Sequence, residues 1–257
     1  MEQSLANIEQ SLAQCICHTT AFGDSGKTIV VGFPGFGLVG TIAAKYIIKS
    51  LDLEVVGYLR SPLIPPLAVF LDGILAYPYR IYGDLSGNQD IIVLIGESPA
   101  PPQAYYFLAN AVLDWGTKFG HAEEVICLDG FSDQGEPKND VYLVAEPDVK
   151  GKMDQYNLPK PQTGYIGGLS GAILNESIIR EIDGYALLVS TTSHYPDPNG
   201  AGHLIETINK IKNLNIDTKS LFDDGEKIKQ TMQDFANRTR QLADQDTQSD
   251  YKSSLYL

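Results

Sequence analysis

With 257 residues, 43% of them apolar, the chain is long enough to bury a substantial core as one domain. Its formal net charge of -13 argues against nucleic acid, whose phosphates need a basic face, and against an anionic membrane surface. No run of about 18 apolar residues exists to span a bilayer, no secretory signal is visible, and three cysteines suit reduced thiols in a cytoplasm better than a disulfide frame.

Residues 3–14 have the spacing of a short helix, with Leu5, Ile8 and Leu12 on one face. Cys15, Cys17 and His18 follow. Two thiols two residues apart, with no second pair elsewhere, do not make the four-ligand spacing of a zinc site. On a strand, Cys15 and Cys17 share one face as small apolar residues.

Thr28 to Val31 reads as a buried strand and runs into Gly32-Phe33-Pro34-Gly35-Phe36-Gly37-Leu38-Val39-Gly40. A helix is predicted from about Leu38 to Ser50. Gly35, Gly37 and Gly40 match G-x-G-x-x-G between strand and helix, the setting of a dinucleotide site. Two features speak against that ligand. The next strand, Val55 to Leu59, ends in Arg60 where a ribose-binding acid is needed, and Phe33-Pro34 crowds the first glycine. The competing reading is a tight strand-to-helix crossing in which glycines admit close backbone contact.

Ser61 to Pro66 is extended. Leu67–Leu71 and Ile74–Tyr77 flank Asp72-Gly73, the pair of a type I′ turn, and predict a hairpin. Tyr77, Tyr79 and Tyr82 follow and are expected to cover a core or an oligomer contact. Ile91 to Ile95 is a buried strand that ends in Gly96-Glu97, and a helix follows from about Gln103 to Phe119. Val125 to Leu128 is a strand that ends in Asp129, so two acids, Glu97 and Asp129, stand where open α/β sheets place ligands. No nucleophile or metal cluster accompanies them.

Val141 to Ala145 is a short strand. A Gly-rich stretch from Gly164 to Gly171 opens a helix to about Glu181, and Tyr185 to Val189 is a further strand. Ser193, His194 and Asp197 have the residue types of a hydrolytic triad, but neighbours in one loop do not align as nucleophile, base and orienter, and no nucleophile elbow is present. Helices are predicted from about Gly200 to Leu214 and from Thr218 to about Leu242, the second with a narrow apolar stripe. Beyond it the chain is polar and thinly apolar, a composition that does not hold a fixed conformation, and it ends Leu255-Tyr256-Leu257. Two apolar bodies, a Tyr hydroxyl and a carboxylate make a plug for a pocket with a cation or backbone amides.

These motifs together resemble the proteasome assembly chaperone 2 family, in its archaeal form. The likeness rests on the Gly32–Gly40 turn, Ser61-Pro62 to Pro65-Pro66, Asp72-Gly73, Gly96-Glu97, Trp115, Gly167 to Gly171 and His194 to Pro198, in order over about residues 28–235. The resemblance implies a single α/β domain (residues 1–242) similar to nucleoside phosphorylases. Its mostly parallel central sheet is flanked by helices, with a β-hairpin and a flexible tail (243–257). It implies self-association as a tetramer or pentamer. It also implies binding to the α-subunits of the proteasome core particle, as an ATP-independent assembly chaperone or activator in the cytoplasm. Some members dock a hydrophobic-Tyr-any C-terminus between adjacent α-subunits, and Leu255, Tyr256 and Leu257 match that pattern position by position. No catalytic residue, cofactor or metal is expected.

In that reading Leu255 lies on an apolar wall, Tyr256 packs and donates its hydroxyl, and the Leu257 carboxylate pairs with a lysine. The run from Asp244 onward reaches roughly 45 Å when extended and about 20 Å as a coil. The alternative is an enzyme that holds phosphate or a nucleoside at Gly35, Gly37 and Gly40, with Glu97, Asp129 or His194 in acid–base roles. A plain scaffold is the third reading.

Overall fold

The computed structural model describes residues 12–17, 26–119, 121–132, 140–191, 196–223, 225 and 227. In chain order β1 (Gln14–Cys17), β2 (Lys27–Gly32), α1 (Val39–Ser50) and β3 (Glu54–Arg60) come first. A hairpin follows, β4 (Val69–Leu71) and β5 (Ile74–Ala76). Then come β6 (Tyr79–Gly83), β7 (Ile91–Gly96), α2 (Tyr105–Phe119), β8 (Ala122–Ser132) and β9 (Val141–Ala145). The last described elements are α3 (Pro147–Met153), α4 (Gly168–Arg180), β10 (Asp183–Thr191), α5 (Pro198–Lys212) and α6 (Lys219–Asp223).

The main sheet has eight strands in the order β1-β3-β6-β7-β2-β8-β10-β9. Its centre, β7-β2-β8-β10, is parallel, as continuous apolar strands joined by helices require. The margins are antiparallel: β1, β3 and β6 on one side and β9 on the other. The hairpin forms a separate two-stranded sheet.

Side chains that alternate along the central strands fill two cores. Ile29 and Val31, Ile92 and Leu94, Val125 and Cys127, and Ala186 and Leu188 point to the face covered by α2 and α4. Val30, Val93, Ile126 and Leu187 point to the face covered by α1 and α5. The connection that leaves β2 therefore takes one face and the connection that leaves β7 takes the other. Their carboxyl ends form the crevice where such sheets place ligands.

Asp72 and Gly73 both have positive φ, 50° and 79°, the geometry of the predicted type I′ turn. Cys15 and Cys17 share one half-buried face of β1. Three elements differ from expectation. Tyr79–Gly83 is a strand of its own, Pro147–Met153 is a helix, and β8 begins three residues earlier than Val125. Of the helix predicted over 3–14 only residues 12–14 are described, and Gln14 already belongs to β1; of that over 218–242 only the first turns are described. No helix among the described residues is long and apolar enough to cross a membrane.

Candidate functional site

The glycine turn joins β2 to α1 at the carboxyl edge of the sheet. Gly37 has φ 60° and sits against the Thr191 side chain of β10; Leu38 is also left-handed, with φ 51°. That conformation costs an L-residue about 1–2 kcal/mol, so two such residues in succession bend the chain sharply into the helix. A Cβ on Gly40 would run into the Leu128 carbonyl of β8, and one on Gly35 into the Asp129 carboxylate. The space beside each glycine is filled by this chain's own atoms. An anion seated on the turn would also face Asp129, a repulsion that opposes phosphate.

The two acids of that edge have separate partners. Glu97 is buried, and both its oxygens are taken by cations: Arg80 of β6 at 2.5 Å and Lys45 of α1 at 2.6 Å. The Arg80 guanidinium also donates to the Tyr77 carbonyl and lies over the Tyr82 ring. Asp129 accepts from the Gly130 N–H at 2.8 Å and from Ser170, and burial pushes its carboxyl up to about 6. Arg80 and Lys45 were not marked by the sequence reading. The signal was present: a strand with one charged residue among Tyr79, Ile81 and Tyr82 calls for a buried counter-charge.

The crevice between β2 and β7 is occupied from within. Phe33 is buried there on Gly96 and lies 5.4 Å from the Tyr79 ring, whose hydroxyl donates to the Ser98 carbonyl. A ligand at this point would have to displace an aromatic pair.

Of the triad-like residues, Ser193 and His194 lie outside the described residues. Asp197 caps α5, accepting from the Gly200 N–H at 2.9 Å and the Thr191 hydroxyl at 2.7 Å. Its own N–H donates to the Gly37 carbonyl at 2.8 Å, which ties the start of α5 to the glycine turn. Cys17 is a neutral thiol raised to about 12 by burial, and Cys15 donates to the Ala111 carbonyl; neither is prepared as a thiolate ligand.

Two surfaces are apolar. A groove of about 670 Å³ runs between β9 and α4, lined by Leu143, Ile166, Leu174 and Ile178 with Lys150 and Lys160 among the residues at its wall. The hairpin carries Phe70, Ile74 and Leu75 exposed. Leu255, Tyr256 and Leu257, the expected docking residues, lie outside the described residues.

The chain is similar to the uncharacterized protein MJ0106 of Methanocaldococcus jannaschii, 29% identical over 216 residues, with 82% of this chain and 85% of that one covered. Among solved structures it is similar to Pyrococcus furiosus PbaA, described as an archaeal homolog of proteasome-assembly chaperone. That likeness has 27% identity and a TM-score of 0.77, over 90% of this chain and 99% of the other. Pyrococcus furiosus PbaB, an archaeal proteasome activator, shares the fold at 20% identity and a TM-score of 0.70, over 88% and 99% of the two chains. The PAC2 family profile matches residues 29–236, a span that takes in the glycine turn, the Glu97 ion cluster and the Asp197 cap, and the chain belongs to the PAC2 family.

Proposed function

We propose that this protein binds the proteasome core particle as an assembly chaperone or activator, without ATP and without catalysis of its own. The observation that carries the reading is the likeness to PbaA in both sequence and fold along nearly the whole chain. The carboxyl edge of the sheet supports it from the negative side. Phe33 fills the ligand crevice, Asp129 and Thr191 fill the turn, and Glu97 is spent on Arg80 and Lys45.

In this reading the chain's last residues do the binding. Leu255 and Tyr256 enter an apolar pocket between adjacent α-subunits, and the Leu257 carboxylate pairs with a cation there. One such contact is weak, because ordering a polar tail costs entropy. Several copies in one homo-oligomer, a tetramer or pentamer, present several tails, and effective concentration raises the avidity. Tails on a long polar run tolerate a mismatch of symmetry between the oligomer and the ring they meet. They favour an open gate only if they bind the open state better.

The test is capture of proteasome core particle by the full-length protein and by a version that ends at Ser254. The full-length protein is expected to retain the particle and the shortened one to lose it, with Tyr256→Ala behaving like the shortened form. Equal capture by both, or stimulation of peptide hydrolysis that survives removal of the last three residues, would sink the tail mechanism. No capture by either would sink the function.

A further inference from the structure

We propose that the β4–β5 hairpin, with Leu67 and Tyr77 at its base, is the surface through which copies of this chain associate. The inference specifies the self-association that the proposed function invokes, but it stands on the hairpin alone. Phe70 and Leu75 are direct cross-strand partners on one face, 72% and 76% exposed. Val69 and Leu71 share the opposite face with Ala76 and Ile74, and there only Val69 is buried, while Ile74 is 72% exposed at the tip. A hairpin apolar on both faces is a hairpin covered on both. Two strands paired only with each other are marginal in water, and in the described residues neither outer edge has a strand partner.

The base of the hairpin is fixed rather than loose. Arg80 holds the Tyr77 carbonyl, Tyr77 packs edge-on against Tyr58 of β3, and Val69 is buried. The arm is thus presented in one direction by the rigid sheet.

Charge and the run of exposed apolar residues identify the occupant. Between Arg60 and Arg80 the only charged residue is Asp72. Two copies of a chain with net charge -13 repel wherever their acidic surfaces meet. A nearly uncharged patch is where identical acidic chains touch at least electrostatic cost, whereas a basic partner would be met through carboxylates. Leu67, Phe70, Leu71, Ile74, Leu75 and Tyr77 are all exposed on this one arm, a contiguous apolar surface of the kind that forms the centre of an interface between identical chains. The occupant is a second copy of this chain.

The experiment compares the wild type with Phe70→Glu/Leu75→Glu by native mass spectrometry and sedimentation velocity at micromolar concentration. Both residues are exposed, so circular dichroism should be unchanged. A control, Ile178→Glu/Ile179→Glu, charges an exposed apolar pair on α4 instead. A wild-type multimer that becomes monomeric in the first variant and persists in the control supports the proposal. A multimer that survives Phe70→Glu/Leu75→Glu, or a wild type that is monomeric, overturns it. Hydrogen exchange on the wild type gives a second reading without any substitution. Amides of 67–77 should be protected at high concentration and exchange on dilution, and protection independent of concentration overturns the proposal. The form that ends at Ser254 should keep the wild-type number of copies, so failure of the tail mechanism and failure of this interface are read separately.

Discussion

Phe33 lies on Gly96: a Cβ added to that glycine would come within 2.5 Å of a ring carbon. The ring at the end of β2 and the bare backbone at the end of β7 fit as knob and hole, and the pair closes the crevice in which an α/β sheet of this topology holds ligands. Gly96→Ala must move the ring or the strand, and overpacking of this kind costs about 1–3 kcal/mol. Gly40→Ala meets the immovable Leu128 carbonyl and should cost at least as much. Gly151, in α3, has open space around its Cα, so Gly151→Ala should gain about 0.5–1 kcal/mol. Urea unfolding of the three variants checks the ranking; a Gly96→Ala as stable as the wild type would show that the ring is not held there.

Glu97→Ala leaves the Arg80 guanidinium buried without its carboxylate. Breaking a buried pair from one side is expected to cost about 3–5 kcal/mol. Lys45, the more exposed of the two cations, matters less: Lys45→Met should cost well under half of that, since Arg80 still neutralises Glu97. If the cluster only braces α1 and β6, Lys45→Met also leaves core-particle capture unchanged. Thermal unfolding and the capture assay on the same samples separate the two effects.

Asp197→Ala removes the α5 cap and the acceptor of the Thr191 hydroxyl. Loss of an N-cap costs about 0.5–2 kcal/mol. The variant keeps its backbone bond to Gly37, so the fold is expected to persist with a lower Tm and no change in oligomeric mass. Asp197→Asn, which retains a capping oxygen, should recover most of the loss.

The Glu97 cluster also marks how far the sequence could be read. Strand, glycine turn and helix around Phe33 were legible, because β-branched runs and glycines speak locally. The hairpin was legible from Asp72-Gly73. The antiparallel strand Tyr79–Gly83 was not, since Arg80 interrupts its apolar pattern and the counter-charge that lets it be buried, Glu97, comes from the end of another strand. The early start of β8 was hidden in the same way. Glu124 reads as surface until the Thr28 hydroxyl and Lys212, both distant in sequence, are placed on its carboxylate. In both strands what was missed is a polar residue whose partner is supplied only by the fold.

Asp129 predicts a pH dependence. Its carboxyl is raised by burial to about 6 from an ordinary 3.8. Between those values the folded protein holds a proton that the unfolded chain has lost, so this group's contribution is full below about pH 4 and is lost as pH rises through 6. A shift of that size corresponds to roughly 3 kcal/mol at most. Asp129→Asn keeps an acceptor for the Gly130 N–H and carries no charge, so it should be more stable than the wild type at pH 8 and nearly equal to it at pH 4. Tm measured from pH 4 to 8 checks this; an equal Tm difference at every pH would mean that the carboxyl does not titrate differently on folding.

The hairpin and the tail together predict a dissociation of binding from avidity. On the proposed tail mechanism each tail keeps its own affinity in Phe70→Glu/Leu75→Glu, because Leu255, Tyr256 and Leu257 are untouched. If the variant is monomeric, capture of the core particle should weaken by roughly 10²–10⁴ fold, the gain that linked sites usually give, rather than vanish. Restoring several copies on an unrelated multimeric carrier should bring the affinity back. Titration of labelled core particle against the wild type, the hairpin variant and the carrier fusion measures all three. A monomer that binds as tightly as the wild type would mean that one tail suffices and that association through the hairpin serves another end.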